Sequence, residues 1–293
     1  MKNLLTLAFT IFIGLSTMAQ DVVPQNTIEK DLPVSEPFLS GLLVDNQTTF
    51  IPVKKTFEFM IQHKFGNMDN GIKDVFGIYA PGAFIRTGVN YVPLKNMQVG
   101  YGLHLVRMYS DFSLKYTLLE QTRKNRIPVA VGFYGNMAID GREKEVFGTD
   151  YAFSDRLSYF AQLIVGRKFG EVASIQANTS FSHFNATEPG MDHDKIAVGL
   201  NGRITVNYKH AILFQCDVPL ELNSITEHRE FTSTPYANIG LGWEIRTSAH
   251  VFQLYISSSD GFLPQHNMLF NRNDFREGEI RFGFTITRLY NFF

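Results

Sequence analysis

The sequence predicts an all-β protein, a closed antiparallel transmembrane β-barrel of about twelve strands with an N-terminal periplasmic or plug segment. Three observations predict it. Apolar and polar residues alternate with period two in run after run, as strands with one apolar face require. The connections alternate long and short, matching barrels with short periplasmic turns and longer outer loops. The last run, Gly278–Phe293, sets Ile280, Phe282, Phe284 and Ile286 against Arg281, Gly283, Thr285 and Thr287 and ends on an aromatic residue. That suits a seam at which the last strand pairs with the first, because an unpaired edge in lipid leaves costly backbone groups.

Composition narrows the function classes. The chain of 293 residues has a formal net charge of -1, so it carries no basic footprint for nucleic acid or acidic lipid. Hydrophobic residues make up 44%, too few for a helical membrane protein. Phe 27 and Tyr 12 against Trp 1 favour strands and aromatic girdles. Cys216 is the one cysteine, which excludes an internal disulfide and matches no metal-binding spacing. Ile212, Phe214 and Val218 share its parity, which makes it an apolar-face residue.

Residues 1–19 read as a signal peptide: Lys2, an apolar run Leu4–Leu15, then small residues up to Ala19, with cleavage before Gln20. The run is short for a spanning helix. Residues 20–53 carry Pro24, Pro33, Pro37 and Pro52 and show no sustained period, so they form a plug or periplasmic lead-in, with Leu42–Phe50 as the part expected to be ordered. Residues 54–293 form the barrel. Phe57, Phe59, Ile61, His63 and Phe65 oppose Thr56, Glu58, Met60, Gln62 and Lys64. Similar runs follow at 85–91, 97–105, 112–118, 127–137, 157–165, 173–181, 196–208, 212–218, 239–245 and 252–256, before the closing strand. Long connections are expected at 66–82, 140–155, 184–194, 219–235 and 259–277, and tight ones at 93–96, 168–171, 208–209 and 247–249.

The polar face carries Glu58, Arg86, Lys115, Arg203, Glu244, Arg246 and Arg281. A cation facing lipid at mid-membrane costs about 2–4 kcal/mol, so these residues are expected in the lumen. There they either bias passage toward anions or pair with the glutamates and fill the barrel.

Several stretches resemble a family of β-barrel proteins of Bacteroidetes known as a domain of unknown function. They are LLVDNQTTFIP (Leu42–Pro52), EFMIQHKFG (Glu58–Gly66), KYTLLEQT (Lys115–Thr122), DRLSYFAQLIVGRKF (Asp155–Phe169), FSHFN (Phe181–Asn185), TSAHVFQLYI (Thr247–Ile256) and FGFTITR (Phe282–Arg288). The resemblance implies an outer-membrane barrel and brings no catalytic residue, cofactor or substrate.

Within those motifs Asp45, Asn46, Gln47, His63 and His250 are polar residues without an assigned role. His63 and His250 fall on the apolar face; a paired ligand site and a structural or interfacial role are both open, and the second is favoured. Met191-Asp192-His193-Asp194 offers carboxylates and an imidazole, most simply in a solvated loop. GxSxG, HExxH, the P-loop and the dinucleotide fingerprint are all missing from the sequence. The expectation is a non-enzymatic outer-membrane channel or binding protein for a small solute, with no metal and no cofactor. The alternative is a non-conducting accessory barrel with an envelope protein partner; a barrel esterase is a weaker third. Lipid is the expected surroundings and nucleic acid is excluded as a partner.

Overall fold

Period-two alternation puts apolar side chains on one side of each strand and polar ones on the other, and the sheet resolves this by closing on itself. The computed structural model describes residues 31–222 and 234–291; the signal-peptide expectation and Phe293 lie outside the described residues. A two-stranded hairpin, β1 (Leu42–Leu43) and β2 (Asn46–Gln47), precedes the wall. The wall runs β3 (Thr56–Asn67), β4 (Phe84–Leu94), β5 (Met97–His104), β6 (Ser110–Leu119), β7 (Ala130–Ile139), β8 (Leu157–Phe169), β9 (Ala173–Phe184), β10 (Asp194–Thr205), β11 (His210–Leu220), β12 (Asn238–Arg246), β13 (His250–Ser257) and β14 (Arg281–Asn291). Neighbours in sequence pair antiparallel, and β14 pairs with β3 from Arg281↔Asn67 to Asn291↔Thr56, with one bulge between Arg281 and Gly283. Closure leaves no strand edge unpaired in the twelve-stranded wall among the described residues, which is what lipid demands.

The outer face is apolar: Tyr101, Phe112, Phe133, Tyr159, Leu163, Leu241, Trp243 and Leu254 stay exposed on the isolated chain. The inner face is polar and buried, as in β3, where Thr56, Glu58, Met60, Gln62 and Lys64 are all inaccessible. One end carries the turns 95–96, 170–172, 206–209 and 247–249; the other carries the long connections 68–83, 140–156, 185–193 and 258–280. The connections 105–109 and 120–129 break the length rule, one short among the long and one middling among the short. Two strand expectations are corrected. Ile127 and Val129 precede β7, where the Ile127 carbonyl accepts from Thr122 N at 2.9 Å, and Val206 to Tyr208 belong to the turn after β10, where Val206 N donates to the His210 carbonyl at 2.9 Å.

Connection 258–280 is more than a loop. Pro264 fixes φ at the first turn of a short helix, α1 (Pro264–Phe270). Its Met268 and Leu269 are buried, Met268 with Tyr134 and Phe160 and Leu269 with Tyr109 and Phe184. Gln265 Nε2 donates to Asn136 Oδ1 at 3.0 Å and to Ser158 Oγ at 3.1 Å, and Asn238 Nδ2 donates to the Asn267 carbonyl at 3.0 Å. The helix is therefore fastened to inner-face residues of β7, β8 and β12.

Candidate functional site: the lumen and the hairpin within it

The charges on the inner face are held by one another or by amide groups. Arg86 on β4 reaches past β5 to Asp111 on β6 in a bidentate pair, Nε to Oδ2 and Nη2 to Oδ1 both at 2.9 Å. Asp111 also meets His104 Nε2 at 2.8 Å and accepts from Asn136 Nδ2 at 3.0 Å. Gly102 makes room for this pair: an added Cβ there would overlap both the Asp111 carboxylate and the Arg86 guanidinium. Arg203 Nε donates to Glu244 Oε1 at 2.5 Å. Glu58 accepts from Asn90 Nδ2 at 2.7 Å and Gln98 Nε2 at 3.0 Å. A buried ion pair is weak evidence for stability, but losing one partner leaves a buried charge uncompensated.

The β1–β2 hairpin runs among these groups, and four buried glutamines grip it. Gln253 donates to the Leu42 carbonyl at 2.9 Å and accepts from Val44 N at 3.0 Å, and Gln215 Oε1 accepts from Asp45 N at 2.9 Å. Gln162 Nε2 donates to Asn46 Oδ1 at 3.0 Å and Gln176 Nε2 to the Gln47 carbonyl at 2.6 Å. Lys115 Nζ donates to the Gly41 carbonyl and Thr117 Oγ1 to the Thr49 carbonyl, both at 2.8 Å. Asn46 Nδ2 donates to Asp217 Oδ2 at 2.5 Å. These wall residues satisfy hairpin groups that burial would otherwise leave unpaired. Phe38, Leu43 and Val44 add an apolar island with Leu213, Tyr255 and Phe262. Val44 sits at φ 56, a conformation that a β-branched residue holds only when its surroundings fix it.

Lys64 joins the hairpin to the opposite end. Its fully buried Nζ lies 2.7 Å from Asp45 Oδ2, 2.9 Å from the Gly261 carbonyl and 2.6 Å from Ser259 Oγ. Ser259 Oγ in turn donates to Asp45. One ammonium thus ties the hairpin to connection 258–280.

Of the charged residues expected in the lumen, Glu58, Arg86, Lys115, Arg203 and Glu244 are buried on the inner face. Arg246 and Arg281 are corrected to the rims, because each is a terminal strand residue. Arg246 ends β12 at the short-turn end and forms a bidentate pair with Glu36 at 2.6 and 2.7 Å, which holds the Glu36 carboxyl below its ordinary range. Arg281 opens β14 at the long-loop end, with its Nη2 3.3 Å from Asp260 Oδ1. Asp45, Asn46 and Gln47 lie at the centre of the network. His63 and His250 are not brought together: His63 pairs across to Phe284 and stacks on its ring, whereas His250 pairs with Arg288. In the 191–194 stretch, Asp192 pairs with Lys195, Asp194 with His183, and His193 Nδ1 lies 2.6 Å from the Phe184 carbonyl. Lys64, Asp111, Asp217 and the four glutamines are network residues that the charge pattern alone did not single out. Their signal was inward parity, shared by every polar residue on that face.

The chain matches the family model described as a membrane bound beta barrel domain, DUF5777, over residues 38–290. A search of curated proteins gives no match. Among solved structures it is similar in outline to the KdgM porin, with TM-score 0.46 and 6% identity, covering 81% of this chain and 99% of that one. It is likewise similar to the NanC porin, with TM-score 0.48 and 5% identity over 81% and 100% of the two chains. An outer membrane channel from Pseudomonas putida F1 scores 0.46 with 9% identity over 83% and 97%. The family match begins at Phe38, so it takes in the hairpin together with the wall, and the chain belongs to the DUF5777 family of membrane-bound β-barrel domains.

Proposed function

We propose that this protein is an outer-membrane barrel for a small solute whose resting state is closed. Residues 38–50 act as the plug, and α1 covers the opposite mouth. The observation that carries this reading is the Lys64 bridge, which links Asp45 of the hairpin to Ser259 and Gly261 of the loop bearing α1. Passage then requires the hairpin to move. The strained Val44 supports a segment built to be held and released. A signal peptide at 1–19 accounts for export, and the long connections face outward.

The density of ion pairs across the lumen favours a second reading, a permanently filled barrel that serves as an accessory to an envelope assembly. Liposome swelling separates the two. Under the first reading the full chain admits small sugars and organic acids slowly, and deletion of residues 38–50 raises the rate strongly. If the deletion variant inserts, shows its heat-modifiable gel shift and stays impermeable, the accessory reading replaces the first.

A further inference from the structure

Connections 105–109, 140–156, 185–193 and 258–280, all at the long-loop end, line a cavity of about 640 Å³, within the usual range of about 300–1,000 Å³ for small-molecule sites. Its cationic wall is Arg107, Arg142 and Arg272, and Phe147 and Phe270 supply apolar wall. Two of its charges are already committed: Arg142 to Asp140 in a bidentate pair, and Asp260 to Arg281. Arg107 and Arg272 differ. They share a single carboxylate, Glu188, with Arg107 Nη2 3.7 Å from Oε1 and Arg272 Nη2 3.7 Å from Oε2. Those separations are too long for hydrogen bonds. Glu188 is 64% exposed, so it is a loosely held anion between two guanidiniums.

Arg107 is placed there at a conformational cost. It and Met108 occupy the left-handed region at φ 56 and φ 49. The Arg107 carbonyl accepts from Gly141 N at 3.2 Å, and a Cβ at Gly141 would crowd the Met108 carbonyl. Strain of this kind in two non-glycine residues collects at ligand clamps. The buried Tyr109 hydroxyl lies close enough to Arg107 and Arg142 for both cations to act on it.

We infer that this cavity is a binding site for an organic monocarboxylate with an apolar body, in which the ligand carboxylate displaces Glu188 from between Arg107 and Arg272 and the body lies against Phe147 and Phe270. A free carboxylate can approach to charge-assisted distance, about 2.7–2.9 Å, where the tethered Glu188 does not. The inference goes beyond the closed-barrel proposal and does not depend on whether the hairpin moves.

The test is fluorine NMR of para-fluorobenzoate with the full chain in lipid nanodiscs, with empty nanodiscs subtracted and para-fluorobenzamide as the neutral isostere. Saturable binding of the acid is expected, with the amide at least about fivefold weaker. Arg272→Gln, an exposed position, weakens the acid by about fivefold or more, and Glu188→Gln tightens it by about twofold or more by removing the internal competitor. The inference is overturned if neither probe binds saturably, if acid and amide bind alike, or if either substitution leaves the acid unchanged. Solute entry through the deletion variant is a separate readout, so failure of one proposal does not stand for failure of the other.

Discussion

Lys64 Nζ and Asp45 Oδ2 lie 2.7 Å apart with both side chains almost wholly buried, and the same ammonium reaches the Gly261 carbonyl at 2.9 Å. The hairpin arrives through residues 51–55 from the short-turn end, whereas Gly261 belongs to a long-end connection. A single charge therefore holds together two segments that fill the barrel from opposite sides. Removing it exposes the weakness of such pairs: the attraction is offset by desolvation, but the orphaned partner is costly.

Lys64→Met is expected to destabilise the barrel by about 3–5 kcal/mol, because Asp45 is left buried without its cation. Lys64→Met combined with Asp45→Leu costs much less than either single change suggests. The temperature at which the compact gel band converts to the unfolded band reads this directly, and strict additivity of the two substitutions would contradict it.

Asp217 accepts from Asn46, Gln215 and Asn178, the first two at Oδ2 and the third at Oδ1. Asp217→Leu strands three amide donors in the lumen, each worth about 1–3 kcal/mol. Asp217→Asn keeps one acceptor oxygen and costs clearly less. Urea midpoints in lipid vesicles rank the two variants, and equal midpoints would count against a role for Asp217 in holding the hairpin.

His266 on α1 faces the outer cavity, and burial, reinforced by Arg107 and Arg142 and opposed by Asp260, pushes its pKa down to about 4. His104 and Tyr109 also lie near it. The docked helix holds a neutral imidazole, whereas the released helix takes a proton near the ordinary value of 6.5. Docking is therefore full above about pH 6.5 and weakens progressively as pH falls toward about 4. Hydrogen exchange across 260–275, corrected for intrinsic rate, accelerates from about pH 7.5 to about pH 5, and His266→Gln flattens that response. An unchanged pH response in the variant would assign the effect to another group.

The barrel was legible because lipid writes a period of two into the chain. Phe57, Phe59 and Ile61 against Glu58, Met60 and Gln62 needed no partner strand to be read. The filling of the lumen was not legible, for a geometrical reason. Arg86 finds Asp111 only because the register sets Gly88 opposite Gly102 and Gly102 opposite Asp111, two strands over. Parity places both residues inward but does not say which charges meet. The strands β1 and β2 are two residues each, too short for any period, so Asp45 and Asn46 showed themselves only through the motif that carries them. Arg246 and Arg281 were read as lumenal from parity alone, whereas their rim positions depend on where each strand ends.

The central claim is that residues 38–50 lie inside the barrel. Ser40 Oγ and Thr287 Oγ1 are 3.5 Å apart on the inner side of β14. In a Cys216→Ser background, Ser40→Cys with Thr287→Cys should form a disulfide on mild oxidation of the membrane-embedded protein, whereas Ser40→Cys with the outward Ile286→Cys should not. A high yield for the first pair alone is the predicted result, and equal or negligible yields for both pairs would contradict the account.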